Sequence, residues 1–219
     1  MVQKNRKPVR PVKSDAPVEP KRRGRPRAYE PQIAIGKALE LFRKGGFAAT
    51  SLDDLSAATG MNRPSLYGAF GDKRELYIKS YQRYRDDARA AMIDIFREEL
   101  PIRKRLERIY AVALGIYLAG ETPRGCFTVM TAASEAVADP QIRDMVLEGF
   151  SELDKAFANC FRLGREKGEL PGLSDPEVLA QLASATIHTI AIRARAGVPR
   201  KELEAIVKGA IDVMIGAAG

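Results

Sequence analysis

The chain has 219 residues, enough to bury a core either as one large domain or as a small domain joined to a larger one. Its formal charge of +8 is unevenly spread: residues 1–30 hold 10 Lys/Arg against 3 acids, residues 31–90 hold 10 against 7, and the remainder 16 against 18. A basic front on a near-neutral body calls for a polyanionic partner at the front, and one histidine, two cysteines in no ligand spacing and no apolar run of ~20 residues argue against a metal centre, a disulfide scaffold and a membrane span.

Residues 1–28 are rich in Lys, Arg and Pro and carry no periodic apolar residues, so they are expected to form a basic, disordered arm. They contain no apolar run that would act as a secretory signal, and a cytoplasmic protein is expected. The run Lys21-Arg22-Arg23-Gly24-Arg25-Pro26-Arg27 looks like the core of an AT-hook. Gly24 lets the backbone sit deep, Pro26 keeps it extended, and Arg25 and Arg27 are candidates for a narrow A·T minor groove. A solvated tail is the competing reading.

From Pro31 onward the pattern is helix after helix. Ile35, Ala38, Leu39 and Phe42 form the stripe of a first helix, which Gly45-Gly46 should stop. Ser51 opens a second helix with Asp54 as its capping-box partner, Leu52 and Leu55 turn inward, and Gly60 ends it. Asn62 caps a short third helix that tolerates Pro64 in its first turn. Asp72 and Glu75 start a long fourth helix with inward residues Tyr77, Tyr81, Tyr84, Ala88, Ala91 and Ile95. Further helices are predicted over 106–118, 127–137, 142–167, 176–196 and 200–216. No alternating strand pattern occurs, so the fold class is all-α with about nine helices.

The segment 46–66 meets the steric needs of a helix-turn-helix. Ser56 supplies a small residue at the helix crossing, Gly60 a turn with positive φ, and Leu66 an apolar anchor for the second helix. The runs Thr50-Ser51-Leu52-Asp53-Asp54-Leu55, Gly60-Met61-Asn62-Arg63-Pro64-Ser65-Leu66-Tyr67, Phe70 and Lys73-Arg74-Glu75-Leu76 resemble the tetracycline-repressor (TetR) family. The resemblance is specific over residues 31–80; beyond residue 100 it rests on length, helical order and the Gly125-Cys126-Phe127 run. It implies a helix-turn-helix DNA-binding domain at 29–75 and a helical effector-binding and dimerisation domain at 76–219. By position it also implies that Thr50, Tyr67 and Lys73 contact phosphate, that Ser51 lies at the same helix start, and that Arg63, Pro64 and Ser65 face base edges. Capping accounts equally for Thr50 and Ser51, and a core role suits Phe70.

In the body, apolar residues cover more than one face of the last two helices, which therefore need partners on two sides. A deep monomer core would satisfy them. Because a helix-turn-helix reads paired half-sites, a homodimer interface through Leu179, Ile187, Ile190, Ile206, Ile211 and Met214 is preferred. The resemblance places an effector cavity among Phe96, Tyr110, Leu114, Tyr117, Cys126, Phe127, Met130, Phe150 and Phe157, although each residue taken singly reads first as core. Cys126, after Pro123-Arg124-Gly125 at a helix start, is either an inert thiol or a responsive one. His188, alone in an uncharged stretch, reads as structural.

No Ser-His-acid set, ligand cluster or phosphate-cradling loop supports an enzyme, and no metal or cofactor is expected. The expected function is a sequence-specific transcription regulator: a repressor held on a palindromic double-stranded DNA operator and released by a small-molecule effector. An architectural binder of A·T-rich DNA without effector control is the alternative.

Overall fold

The computed structural model describes residues 30–170 and 175–217, so the arm with Arg25 and Arg27 lies outside the described residues. Among the described residues there are ten helices and no strand. They are α1 (Pro31–Ala49), α2 (Leu52–Thr59), α3 (Arg63–Phe70), α4 (Lys73–Arg97), α5 (Ile102–Tyr117), α6 (Phe127–Ala133), α7 (Glu135–Ala138), α8 (Pro140–Glu166), α9 (Pro176–Arg195) and α10 (Arg200–Ile215). The tenth arises because the helix expected over 127–137 breaks at Ser134, whose φ of −121° and ψ of −79° are not helical.

Local signals set the first four helices. The predicted stripe Ile35, Ala38, Leu39 and Phe42 is buried on α1. The backbone leaves helical geometry at Gly46 (φ 78°, ψ 179°), as the glycine pair predicts, but a further turn runs on to Ala49. That turn brings Phe47 against Phe42 and Tyr77, at ring-centroid distances of 6.4 and 5.3 Å. Ser51 and Asp54 form the reciprocal capping box, and Gly60 closes α2 in the left-handed conformation at φ 72°. Asn62 caps α3 and Asp72 caps α4 through their side chains. On α4, Ala91 proves exposed and Met92 takes its inward place, because the helical period steps through Tyr84, Ala88, Met92 and Ile95.

Two apolar cores result. The smaller joins α1–α4 to α6 and the start of α8, with Phe42, Leu55, Leu66, Tyr77, Phe127 and Val146 at its centre. The larger packs the end of α4 with α5, α8, α9 and α10. Phe127 is the hub of the smaller core: its ring meets Tyr77, Tyr81 and Tyr84 edge-on at 5.3, 5.9 and 5.8 Å. The aromatic chain therefore continues without a gap from the helix-turn-helix into the body.

The two-sided apolar character of α9 and α10 divides differently from expectation. Leu179, Ile187, Ile190, Ile211 and Met214 are buried in the protomer's own larger core, and Ile206 packs half-buried against it. The outward apolar residues are Val178, Leu182 and Ile192 on α9 and Val213 on α10. The helices expected at a subunit interface thus do present apolar surface, but from the opposite face. Composition reports that two faces are apolar; it does not report which one the chain's own helices cover.

Candidate DNA-binding surface and effector cavity

The helix-turn-helix exposes the N-terminal end of α3. Arg63, Pro64, Ser65 and Tyr67 are all exposed, and Ser51 lies exposed at the start of α2. Ser65 donates its backbone N–H to Asn62 Oδ1 at 2.9 Å. Lys73, the first residue of α4, holds its ammonium 4.3 Å from the centre of the Phe47 ring. All of these but Tyr67, which lies one turn into α3, stand at three helix starts, where unpaired N–H groups favour an anion. Thr50 behaves differently. It is buried, and its hydroxyl donates to the Gly46 carbonyl at 2.8 Å, so it braces the kink rather than standing free for phosphate. Arg63 also has a partner, the carboxylate of Asp53.

The body encloses a cavity of about 460 Å³ between α4, α5, α8 and α9. Phe96, Tyr117, Cys126 and Phe150 line it as expected. Phe127 and Phe157 do not; both are fully buried in the packed cores, and Phe157 lies between Phe96 and Tyr110 at 5.8 and 6.2 Å. Tyr110 and Leu114 belong to a separate cleft of about 300 Å³ between α5 and α10, and Met130 is half-buried outside the cavity wall. The physical reason is common to all five: an apolar side chain in a helix suits a packed core and a cavity wall equally well.

Sequence reasoning missed much of the wall, including Tyr84, Met92, Ile116, Leu153, Ile187 and His188. One signal was available. The inward stripe of α4 runs on from Tyr84 to Ala88, a small residue that leaves room where larger ones would fill it.

Tyr84, Tyr117, Cys126 and His188 bring polar groups to the cavity lining. Burial pushes the hydroxyls of Tyr84 and Tyr117 well above the ordinary phenol range, and Cys126 is in hydrogen-bonding reach of both. His188 packs against Phe150 in a tilted pair with ring centroids 4.8 Å apart, and burial lowers its pKa, which keeps the ring neutral at pH 7. At the mouth, Arg85 bonds Glu148 and Glu152 at 2.9 Å each, and Arg89 also pairs with Glu152. The other cysteine, Cys160, is packed in the larger core, where burial raises its thiol to about 11.

The cavity wall is tied directly to the DNA-binding unit. Arg43, buried near the end of α1, donates to the carbonyls of Ile116 and Gly125 at 3.2 and 3.4 Å and lies over the Tyr84 ring. Arg195 at the end of α9 donates to the carbonyls of Arg43, Arg124 and Lys44 at 3.0, 3.1 and 3.3 Å. Arg124 in turn pairs with Glu40 of α1. Gly125 sits in the tightest place of this junction: at φ +63° a Cβ there would lie 2.6 Å from the Ala191 carbonyl oxygen.

A helical chain with an exposed α3, a basic front and a cavity tied to α1 defines a helix-turn-helix protein joined to a cavity-bearing helical body. Residues 34–79 match the family model for bacterial regulatory proteins of the tetR family, and residues 103–210 match that for the tetracyclin repressor-like C-terminal domain. The transcriptional repressor ComR of Escherichia coli K12 is 29% identical over 184 residues, spanning 84% of this chain and 88% of ComR. The repressor BdcR of the same strain is 33% identical over 125 residues, 57% of this chain and 62% of BdcR. A cysteine mutant of the TetR-family regulator CifR, complexed with a 26-base-pair operator, superposes with a TM-score of 0.79 at 27% identity, over 87% of this chain and all of that one. The chain belongs to the TetR family and is a DNA-binding regulator of transcription. Among the described residues no helix is long and apolar enough to cross a membrane.

Proposed function

We propose that the protein is a cytoplasmic repressor that binds a palindromic operator as a homodimer and leaves it when a small, largely apolar molecule enters the cavity. The observation that carries this reading is the Arg43 junction. One side chain touches the cavity wall at Ile116 and Tyr84 and belongs to the first helix of the DNA-binding unit. A ligand that displaces that wall alters the seat of α1. To shift the population from 1:99 to 99:1 it must favour the released conformation by about 5.5 kcal/mol.

In this reading Arg63 and Ser65 meet base edges, and Tyr67 and Lys73 hold phosphate. Ser51 adds its helix start, and Arg25 and Arg27 bias binding towards A·T-rich flanks. The outward residues Val178, Leu182, Ile192 and Val213 form the dimer contact. An architectural role without effector control would leave the cavity and its tether unused.

The test begins by selecting bound DNA from random sequence and screening small molecules for release of the selected site. Ala156→Phe, which fills the cavity from α8, is then expected to keep operator binding and lose release. Undiminished release of the filled variant would remove the cavity from the mechanism.

A further inference from the structure

The recognition helix begins with a side chain that already has a partner. Arg63 Nε donates to Asp53 Oδ1 at 3.0 Å, and Nη2 donates to both carboxylate oxygens at 2.7 Å. Asp53 stands in the first turn of α2, ten residues earlier, so the contact bridges the two helices of the motif. Both side chains are open to solvent, at 54% exposure for Arg63 and 76% for Asp53. The pair therefore lies on the open surface at the N-terminal end of α3, the end that the proposed function turns to DNA.

A guanidinium offers two forked edges. Asp53 takes the edge made by Nε and Nη2, which leaves the end formed by Nη1 and Nη2 turned away from the carboxylate. That free end is the fork that matches the O6 and N7 acceptors of guanine. Meanwhile Asp53 sets a negative charge beside any phosphate that Arg63 would otherwise swing out to meet.

We propose that Asp53 is a specificity-determining positioning residue. It holds Arg63 by one edge so that the other edge meets a base, and it penalises the alternative of pairing Arg63 with the backbone. The proposal rests on Arg63 reading a base. A long, flexible cation at the front of a recognition helix gains affinity on any duplex, because phosphate lies everywhere along it. Anchoring that cation to a neighbouring carboxylate removes the indiscriminate gain and retains the bidentate one. Asp53 makes the protein a weaker binder of DNA in general and a more selective one.

The experiment uses the full chain, its selected operator, a panel of single-base operator variants and a random-sequence duplex, titrated at fixed salt. Four proteins are compared: wild type, Asp53→Asn, Arg63→Ala and the double variant, with Asp53→Glu as the charge-preserving control. Arg63→Ala is expected to flatten base preference at one position per half-site by about 5- to 150-fold, the range of one bidentate base contact. Asp53→Asn is expected to tighten the random duplex several-fold and flatten the same position. In the Arg63→Ala background it is expected to change no base preference. Asp53→Glu is expected to keep most of the preference, with all five proteins unfolding at similar temperatures because the Ser51–Asp54 box is untouched. If Arg63→Ala weakens every duplex alike, Arg63 is a phosphate contact and both readings fail. If Arg63→Ala erases a base preference and Asp53→Asn leaves it intact, only the role of Asp53 is overturned.

Discussion

In the helix-turn-helix unit, most fixed features are decided within a few residues along the chain. Ser51 caps with Asp54, Asn62 with Ser65 and Asp72 with Glu75, and Gly60 turns the backbone between α2 and α3. The body is assembled the other way. Its cavity draws walls from α4, α5, α8 and α9, and its tether to α1 joins Arg43 to Gly125 and Arg195 to Lys44, pairs 82 and 151 residues apart. The contrast teaches where each region is vulnerable. A locally capped unit loses stability in small steps, whereas a body held by distant faces fails wherever one face is misassigned.

The largest expected effect tests the two faces of α9. Ile190→Asp puts a charge into the protomer core and is expected to cost more than ~4 kcal/mol, enough to prevent folding. Leu182→Asp, on the outward face of the same helix, is expected to leave the protomer folded and convert dimer to monomer, as read by circular dichroism and sedimentation. If Leu182→Asp stays dimeric at micromolar concentration, the outward apolar stripe is not the subunit contact.

Next comes the junction between the regions. Gly125→Ala meets the Ala191 carbonyl and a positive φ together, and is expected to destabilise by about 2 to 4 kcal/mol. At ~2–4 °C per kcal/mol for a chain of this size, the thermal midpoint should fall by roughly 10 °C. A shift of only a degree or two would mean that the 124–126 segment yields without cost.

The local unit should respond more mildly. Ser51→Ala removes the hydroxyl that accepts from the Asp54 N–H and is expected to cost ~1 kcal/mol, seen as a small drop in the denaturant midpoint. A loss as large as that of Gly125→Ala would show that the capping box is not a local device.

The smallest effect lies at the ion pair linking the two regions, where Arg74 of α4 bonds Asp139 at the start of α8. The Arg74 guanidinium holds the Asp139 carboxyl down at about 2. A folded pKa below the unfolded one adds stability that is present at neutral pH and lost as pH falls from about 4 towards about 2. The pair is partly exposed, so the gain is slight. Asp139→Asn is expected to be a little less stable than wild type at pH 7, with the gap closing as pH approaches 2. A gap that persists there would assign the loss to packing rather than charge.

What could be read from the residues alone follows the same division. The caps, the Gly60 turn, the inward face of α1, that of α4 as far as Ala88, and the exposed front of α3 depend on neighbours three to ten residues away, and their chemistry is legible in order along the chain. The Gly125-Cys126-Phe127 run is also visible, but its meaning is not. Only packing makes Phe127 an aromatic hub, opens a cavity beside Cys126 and forbids a side chain at Gly125. Tertiary structure likewise decided that Ile187 and Ile190 belong to the protomer's core while Leu182 and Ile192 face outward. An amphipathic pattern states which residues avoid water. It carries no information about which surface will cover them, because that surface comes from elsewhere in the chain.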